Sequence, residues 1–204
     1  MEKQQANRIV LAGVVEHEPH FSHEFLNEKF YSFDLYIQRL SGNADILPVI
    51  VPERSFPGVI HRGDFVEVSG QVRSYNQAND TGTKLLIRTY AFSISSPVGA
   101  PEFRNEVSLS ATITRQPVYR TTPFGKEIAD LLLAVNRAHR KSDYIPSIAW
   151  GRCAKLLSDY ACGDKLSLEG RLQSREYKKR LSDETVQTRT AYEVSIMQFH
   201  KIIH

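Results

Sequence analysis

Apolar and polar residues alternate along much of the second half of the chain. In "EVSLSATIT", Val107, Leu109, Ala111 and Ile113 alternate with polar neighbours, which predicts a half-buried strand. "PFGKEIADLLLAVNR" follows, with a glycine turn and an apolar run read as a second strand. "DYIPSIAW" is a third. "GRCAKLLSDYACG" puts Ala154, Leu157 and Ala161 on one helical face and meets a stop signal at Gly163. "KLSLEGRLQSREY" and "TVQTRTAYEVSIMQF" read as two further strands. Three strands, a helix and two strands is the order of the five-stranded OB barrel.

The pattern occurs twice. "ANRIVLAGVVEHEP" at residue 6 resembles "RNEVSLSATITRQP" at residue 104, pairing Asn7 with Asn105. Arg39 pairs with Arg137 and Pro48 with Pro146 at the same offset of 98, and "GDFVEVSGQVRS" pairs with "GDKLSLEGRLQS" at an offset of 100. The fold expected is all-β with a short helix per repeat, as two tandem OB barrels. Residues 1–96 form a degenerate first copy, 97–103 a linker and 104–204 the second copy. The link "SSPVGAPEF" is rich in Ser, Pro and Gly. In the first copy, "PERSFPG" leaves room for little helix, because Pro52 and Pro57 cannot donate to one.

With 204 residues, 41% hydrophobic and 24% charged, the chain is long enough for two cores and too apolar for disorder. No apolar run approaches the ~18 residues of a membrane span, and "MEKQQANRIVLAG" lacks the core of a secretion signal, so no membrane partner is expected and the location expected is cytoplasmic. Cys153 and Cys162 have no CxxC spacing and read as reduced thiols. The net charge of +3 is unevenly shared. Residues 1–99 hold 9 basic and 11 acidic residues, a net of −2, which leaves 17 basic and 12 acidic, a net of +5, in the second half. A polyanion should therefore meet the second copy.

Leu166, Leu168 and Leu172 share one strand parity and should face the core. Arg171, Gln173, Arg175 and Tyr177 share the other and should point outward together, continuing into Lys178, Lys179 and Arg180. Arg137, Arg140 and Lys141 of "NRAHRKSDY" add charge nearby. Cations neutralise phosphates and ring faces stack on bases, so this mixture suits a flexible nucleic-acid strand.

The second copy resembles the bacterial single-stranded DNA-binding protein family. The residues that carry the resemblance are "NEVSLSATITRQPVYRTTPFGKEIADLLLAVNR", "IPSIAWGRCAKLLSDYACGDKLSLEGRLQSREY" and "TAYEVSIMQF". It implies base stacking on Tyr144 and Trp150 of strand three and on Tyr177 of the following hairpin, with Arg120, Arg152 and Arg175 on the DNA surface. On this reading Trp150, the only tryptophan, is a base platform rather than core filling. The first copy has Ile46 and Ile50 where the strand-three aromatics align, the latter to within a couple of residues, and keeps Arg73 and Tyr75 as weaker candidates. The family's acidic-tipped tail has no counterpart after "MQFHKIIH", so recruitment through a tail is not expected.

The function expected is sequence-tolerant binding of single-stranded DNA in replication, repair or recombination, at the bacterial nucleoid when DNA-bound, without catalysis, cofactor or metal. A primosome-type or scaffold protein that mainly binds proteins, and an RNA-binding OB protein, are the alternatives. A homodimer is expected, with a monomer whose copies pair internally as the other possibility. His17, His20 and His23 of "HEPHFSH" read as a solvated loop rather than a metal site, because Pro19 interrupts any helix that would align them. His200 and His204 sit at the end of the chain and carry no assigned role. Tyr119, before Arg120, has either a DNA contact or a barrel-closing role.

Overall fold

The computed structural model describes residues 6–79, 82–97, 99–138, 141–180 and 186–202, without the side chains of 78, 79, 82, 179 and 180. The first copy contains β1 (Asn7–Val15), β2 (His20–Phe25), β3 (Glu28–Gln38), β4 (Ala44–Pro52), β5 (Phe65–Asn79) and β6 (Gly82–Ser95). The second contains β7 (Arg104–Ile113), β8 (Val118–Thr121), β9 (Glu127–Asn136), β10 (Ser142–Trp150), α1 (Gly151–Leu157), β11 (Lys165–Arg180) and β12 (Val186–Lys201).

In each copy five strands pair in a ring. β1 pairs with β3, β3 with β4, β4 in parallel with β6, β6 with β5, and β5 with β1. The second copy repeats this as β7, β9, β10, β12 and β11. The alternating apolar residues line the interiors. Leu11, Phe33, Leu35 and Leu47 are buried in one copy, and Leu109, Ile113, Leu133, Ile145 and Leu166 in the other. Gly70 and Gly170 mark the same β-bulge in the two copies. A Cβ at Gly170 would stand 2.2 Å from the Ser195 carbonyl oxygen, so only glycine allows the close pairing.

Three sequence expectations need correcting. The first copy has no α-helix among its described residues, only a 3-10 turn at Glu53–Ser55, so a helix is not present in each repeat. α1 ends at Leu157, leaving Ala161 exposed outside it. The chain turns because the Asp164 carboxylate accepts the Ala161 N–H and Gly163, at φ 94°, donates to the Ile113 carbonyl. "HEPHFSH" contributes to β2 rather than to a plain loop, and "VYRT" forms β8. Both strands are exposed throughout, so no alternation announces them.

The two copies interlock within one chain. β1 pairs antiparallel with β7, with Ile9 opposite Val107. These are equivalent positions at the offset of 98, so a local two-fold axis passes between them. The β5–β6 and β11–β12 hairpins reach across this axis in reciprocal fashion. Asp143, fully buried, accepts hydrogen bonds from the Ser74 N–H (2.7 Å) and hydroxyl. Asp45, also fully buried, accepts the same pair of bonds from Ser174. Asn7 and Asn105 each use the side-chain amide to extend a ladder, to Val72 and Leu172 respectively. The link between copies is anchored by Phe103, whose ring lies 5.4 Å from Phe65 and 6.1 Å from Tyr36.

Candidate nucleic-acid interface

Strand order across the second copy is β11, β12, β10, β9, β8. Cross-strand partners share a face, so register shows which side chains lie abreast. One row on the outer face runs Arg171, Ser195, Ile148, Asp130, Val118. The next runs Trp150, Ile128, Arg120. Tyr144 lies six residues before Trp150 and has the same parity. Trp150 is 41% and Tyr144 46% exposed, whereas Ile145 and Ala149 between them point into the core and are fully buried. These rings stand on a rigid sheet, held by the unbroken pairing of β10 with β9 from Ser142 to Trp150. The Tyr144 N–H also donates to the Ser74 hydroxyl of the other copy.

Cations border the rings. Arg152 opens α1 directly after Trp150 and is exposed. Arg120 is half exposed and makes an ion pair with Asp130 (2.7 Å), its neighbour on the same face. Arg175 and Tyr177 stand on the β11–β12 hairpin, with the guanidinium carbon 6.0 Å from the ring centre and the Glu193 carboxylate 3.6 Å from Arg175. Tyr177 is 37% exposed, and Lys178 beside it is exposed. Among the described residues Arg152, Arg171 and Lys178 make no ion pair. Arg140 and the Lys179 and Arg180 side chains lie outside the described residues.

One member of the expected strip does not face solvent. Gln173 is buried, and its amide donates to Glu193 at 2.9 Å. Arg137 and Lys141 do not join the ring-bearing face either. They lie at the seam between the copies, where Arg137 approaches Asp143 at 2.9 Å. Arg73 and Tyr75 meet them there. Arg73 lies 3.9 Å from Asp143 and over the Tyr90 ring at 5.3 Å, and burial pushes the Tyr75 hydroxyl above its ordinary pKa. Tyr119 sits at the edge of the face, with its hydroxyl bonded to Glu127.

The corresponding rows of the first copy carry different chemistry. They read Gln71, Tyr90, Ile50, Ser32, His20 and Pro52, Phe30, His23. Pro52, rather than Ile50, is the counterpart of Trp150, and Ile46 is that of Tyr144. The His23 ring stacks on Phe30 at 4.7 Å, and Tyr90 lies 6.4 Å from Phe30 and 5.5 Å from Phe92. Sequence reasoning missed this aromatic group, because it lies on three strands that only the fold brings together. A cleft of about 530 Å³ runs between the copies, bordered by Pro48 and Arg88 of the first and Pro146, Arg175 and Tyr192 of the second. Among the described residues no helix is long and apolar enough to cross a membrane.

Residues 104–202 match the single-strand binding protein family. "Single-stranded DNA-binding protein 1" of Staphylococcus aureus (strain COL) is 37% identical over 83 residues, covering 37% of this chain and 50% of the relative. "Single-stranded DNA-binding protein 2" of Streptococcus agalactiae serotype V is 33% identical over 82 residues, covering 37% and 63%. The chain thus spans about half the length of the first of these curated relatives. The wild-type single-stranded DNA binding protein of Thermus aquaticus matches 97% of this chain and 93% of its own, at 22% identity and a TM-score of 0.75. That likeness extends the shared fold across both copies.

Proposed function

As the chain belongs to the single-strand binding protein family, through the domain formed by residues 104–202, we propose that it binds single-stranded DNA without reading its sequence. The observation that carries this reading is the outer face of β10. There Tyr144 and Trp150 hold two half-exposed rings on one face of a rigid strand, with Arg120 in the row of Trp150 and Arg152 next to it in the chain. Every base has a π-face, so stacking on such rings is tolerant of sequence, while the cations neutralise phosphates. Tyr177, Arg171, Arg175 and Lys178 extend the track along β11.

Two units serve this role unequally. Residues 1–96 and 104–204, joined by 97–103, are the two OB folds, and the second is the principal DNA-binding unit. The first, with Ile46 and Pro52 in place of the rings and a net charge of −2 over residues 1–99, contributes mainly assembly. The protein acts by binding rather than catalysis, in the bacterial cytoplasm, where it covers exposed strands in replication, repair and recombination. Two chains gather four OB folds as a homodimer, giving two tracks. The single tryptophan provides the test. Titration with oligo-dT should quench Trp150 fluorescence, and the affinity should fall steeply with salt. Tight binding without quenching would remove Trp150 from the interface, and salt-independent binding would contradict phosphate neutralisation.

A further inference from the structure

The local two-fold axis makes the two seams between copies comparable, and they differ in charge, with Gln173 in place of Arg73 and Asn43 in place of Lys141 on the Asp45 side. On the Asp45 side, Arg39 grips the carboxylate with two N–H donors and also donates to the Ser174 carbonyl. One cation meets one anion there. Gln173 stands in β11 where β5 has Arg73, at the offset of 100. On the Asp143 side, Arg73 and Arg137 share a single carboxylate. The Nε atoms of both arginines are buried; that of Arg137 faces an Asp143 carboxylate oxygen at 2.9 Å without hydrogen-bond alignment, and that of Arg73 has no hydrogen-bond partner among the described residues. Burial and repulsion by Arg137 lower the pKa of Arg73. Lys141 adds a third cation to a cavity of about 430 Å³ that also meets Asn136 and Gln71. Among the described residues, three positive charges against one negative leave a surplus of two.

We propose that this cavity is a phosphate site, in which Arg73, Arg137 and Lys141 bind a tetrahedral oxyanion. Arginine N–H donors match phosphate oxygens in geometry, and lysine supplies a mobile point charge. The oxyanion resolves the excess charge that Asp143 alone cannot balance. The phosphate comes either from the backbone of a bound strand or from a free ligand, and only the first source rests on the DNA-binding reading.

The test uses the full-length chain and Arg73→Gln, which copies the Gln173 arrangement, beside Arg62→Gln on an exposed loop as a control. Circular dichroism establishes that each variant is folded, and Lys141→Gln serves if Arg73→Gln is not. Calorimetry with inorganic phosphate and with pyrophosphate should show binding to the unaltered chain and to Arg62→Gln. Arg73→Gln should weaken it by about tenfold or more. If oligo-dT displaces the phosphate and Arg73→Gln lowers the salt slope of DNA binding by about one, the occupant is a strand phosphate. If phosphate binds with DNA present and DNA binding is unaffected, the occupant is a free phosphate. Phosphate binding that Arg73→Gln and Lys141→Gln leave unchanged would overturn the site. So would an absence of phosphate binding together with an unchanged salt slope, whatever the DNA affinity.

Discussion

At the residue scale, exposure and burial divide the aromatic and charged side chains by task. Trp150 and Tyr144 are half exposed on an outer face whose cross-strand neighbour Ile128 is buried. Base stacking on one ring is worth roughly 1–3 kcal/mol, so Trp150→Ala should weaken oligo-dT binding by about 5- to 150-fold while leaving the melting temperature nearly unchanged. Asp143 and Asp45 work oppositely: fully buried, they hold the seams. Asp45→Ala would strand Arg39 and leave the Ser174 N–H without its acceptor, at a cost of about 3–5 kcal/mol, measurable by urea unfolding. The ring positions on β10 were legible from the family resemblance. The fate of Gln173 was not. Parity places it outward, but whether an outward residue meets water depends on what packs over the strand, and Glu193 is its partner.

At the element scale, strands with alternating burial were legible and strands without it were not. β7, β10 and β11 follow period two. β2 and β8 are exposed at every position, and their pairing with β3 and β9 depends on hairpin geometry rather than on a hydrophobic pattern. The length of α1 was overestimated because Ala161 keeps helical spacing after the chain has turned. Tyr160, in that turn, packs against Phe199 at 5.7 Å and beneath Lys201. The Asp164 carboxylate takes a proton only at lower pH than usual, because it accepts the Ala161 N–H and the Lys201 ammonium. Its contribution to stability is present above the ordinary aspartate pKa and is lost as pH falls through the depressed one. Asp164→Asn should therefore flatten the acid limb of a thermal-melt series between neutral pH and strongly acidic pH. Gly170→Ala, which drives a methyl group into the Ser195 carbonyl, should cost about 1–3 kcal/mol by disturbing the bulge.

At the scale of the whole molecule, duplication explains the arrangement. The offsets of 98 and 100 showed two copies, but the crossing of their hairpins was not legible, since Asp45, Ser74, Asp143 and Ser174 look ordinary until the fold joins them. The copies are asymmetric in chemistry while nearly symmetric in pairing. A fragment of residues 101–204 would lack β1 and expose the edge of β7, which should pair with the β7 of another fragment through Val107. Light scattering should then give twice the fragment mass, and a monomeric fragment would show that the seam needs the first copy. For the full chain, a mass near twice 23.2 kDa supports the homodimer, and a single-chain mass removes it.

Binding of single-stranded DNA at the outer face of β10, as proposed, is checked by measuring equilibrium binding of oligo-dT to the full chain and to a Tyr144→Ala/Trp150→Ala double variant, at matched salt and with folding established by circular dichroism. The folded double variant should lose at least about tenfold in affinity, the amount expected when ring–base stacks are removed. Affinity equal to that of the unaltered chain, in a folded double variant, would contradict it.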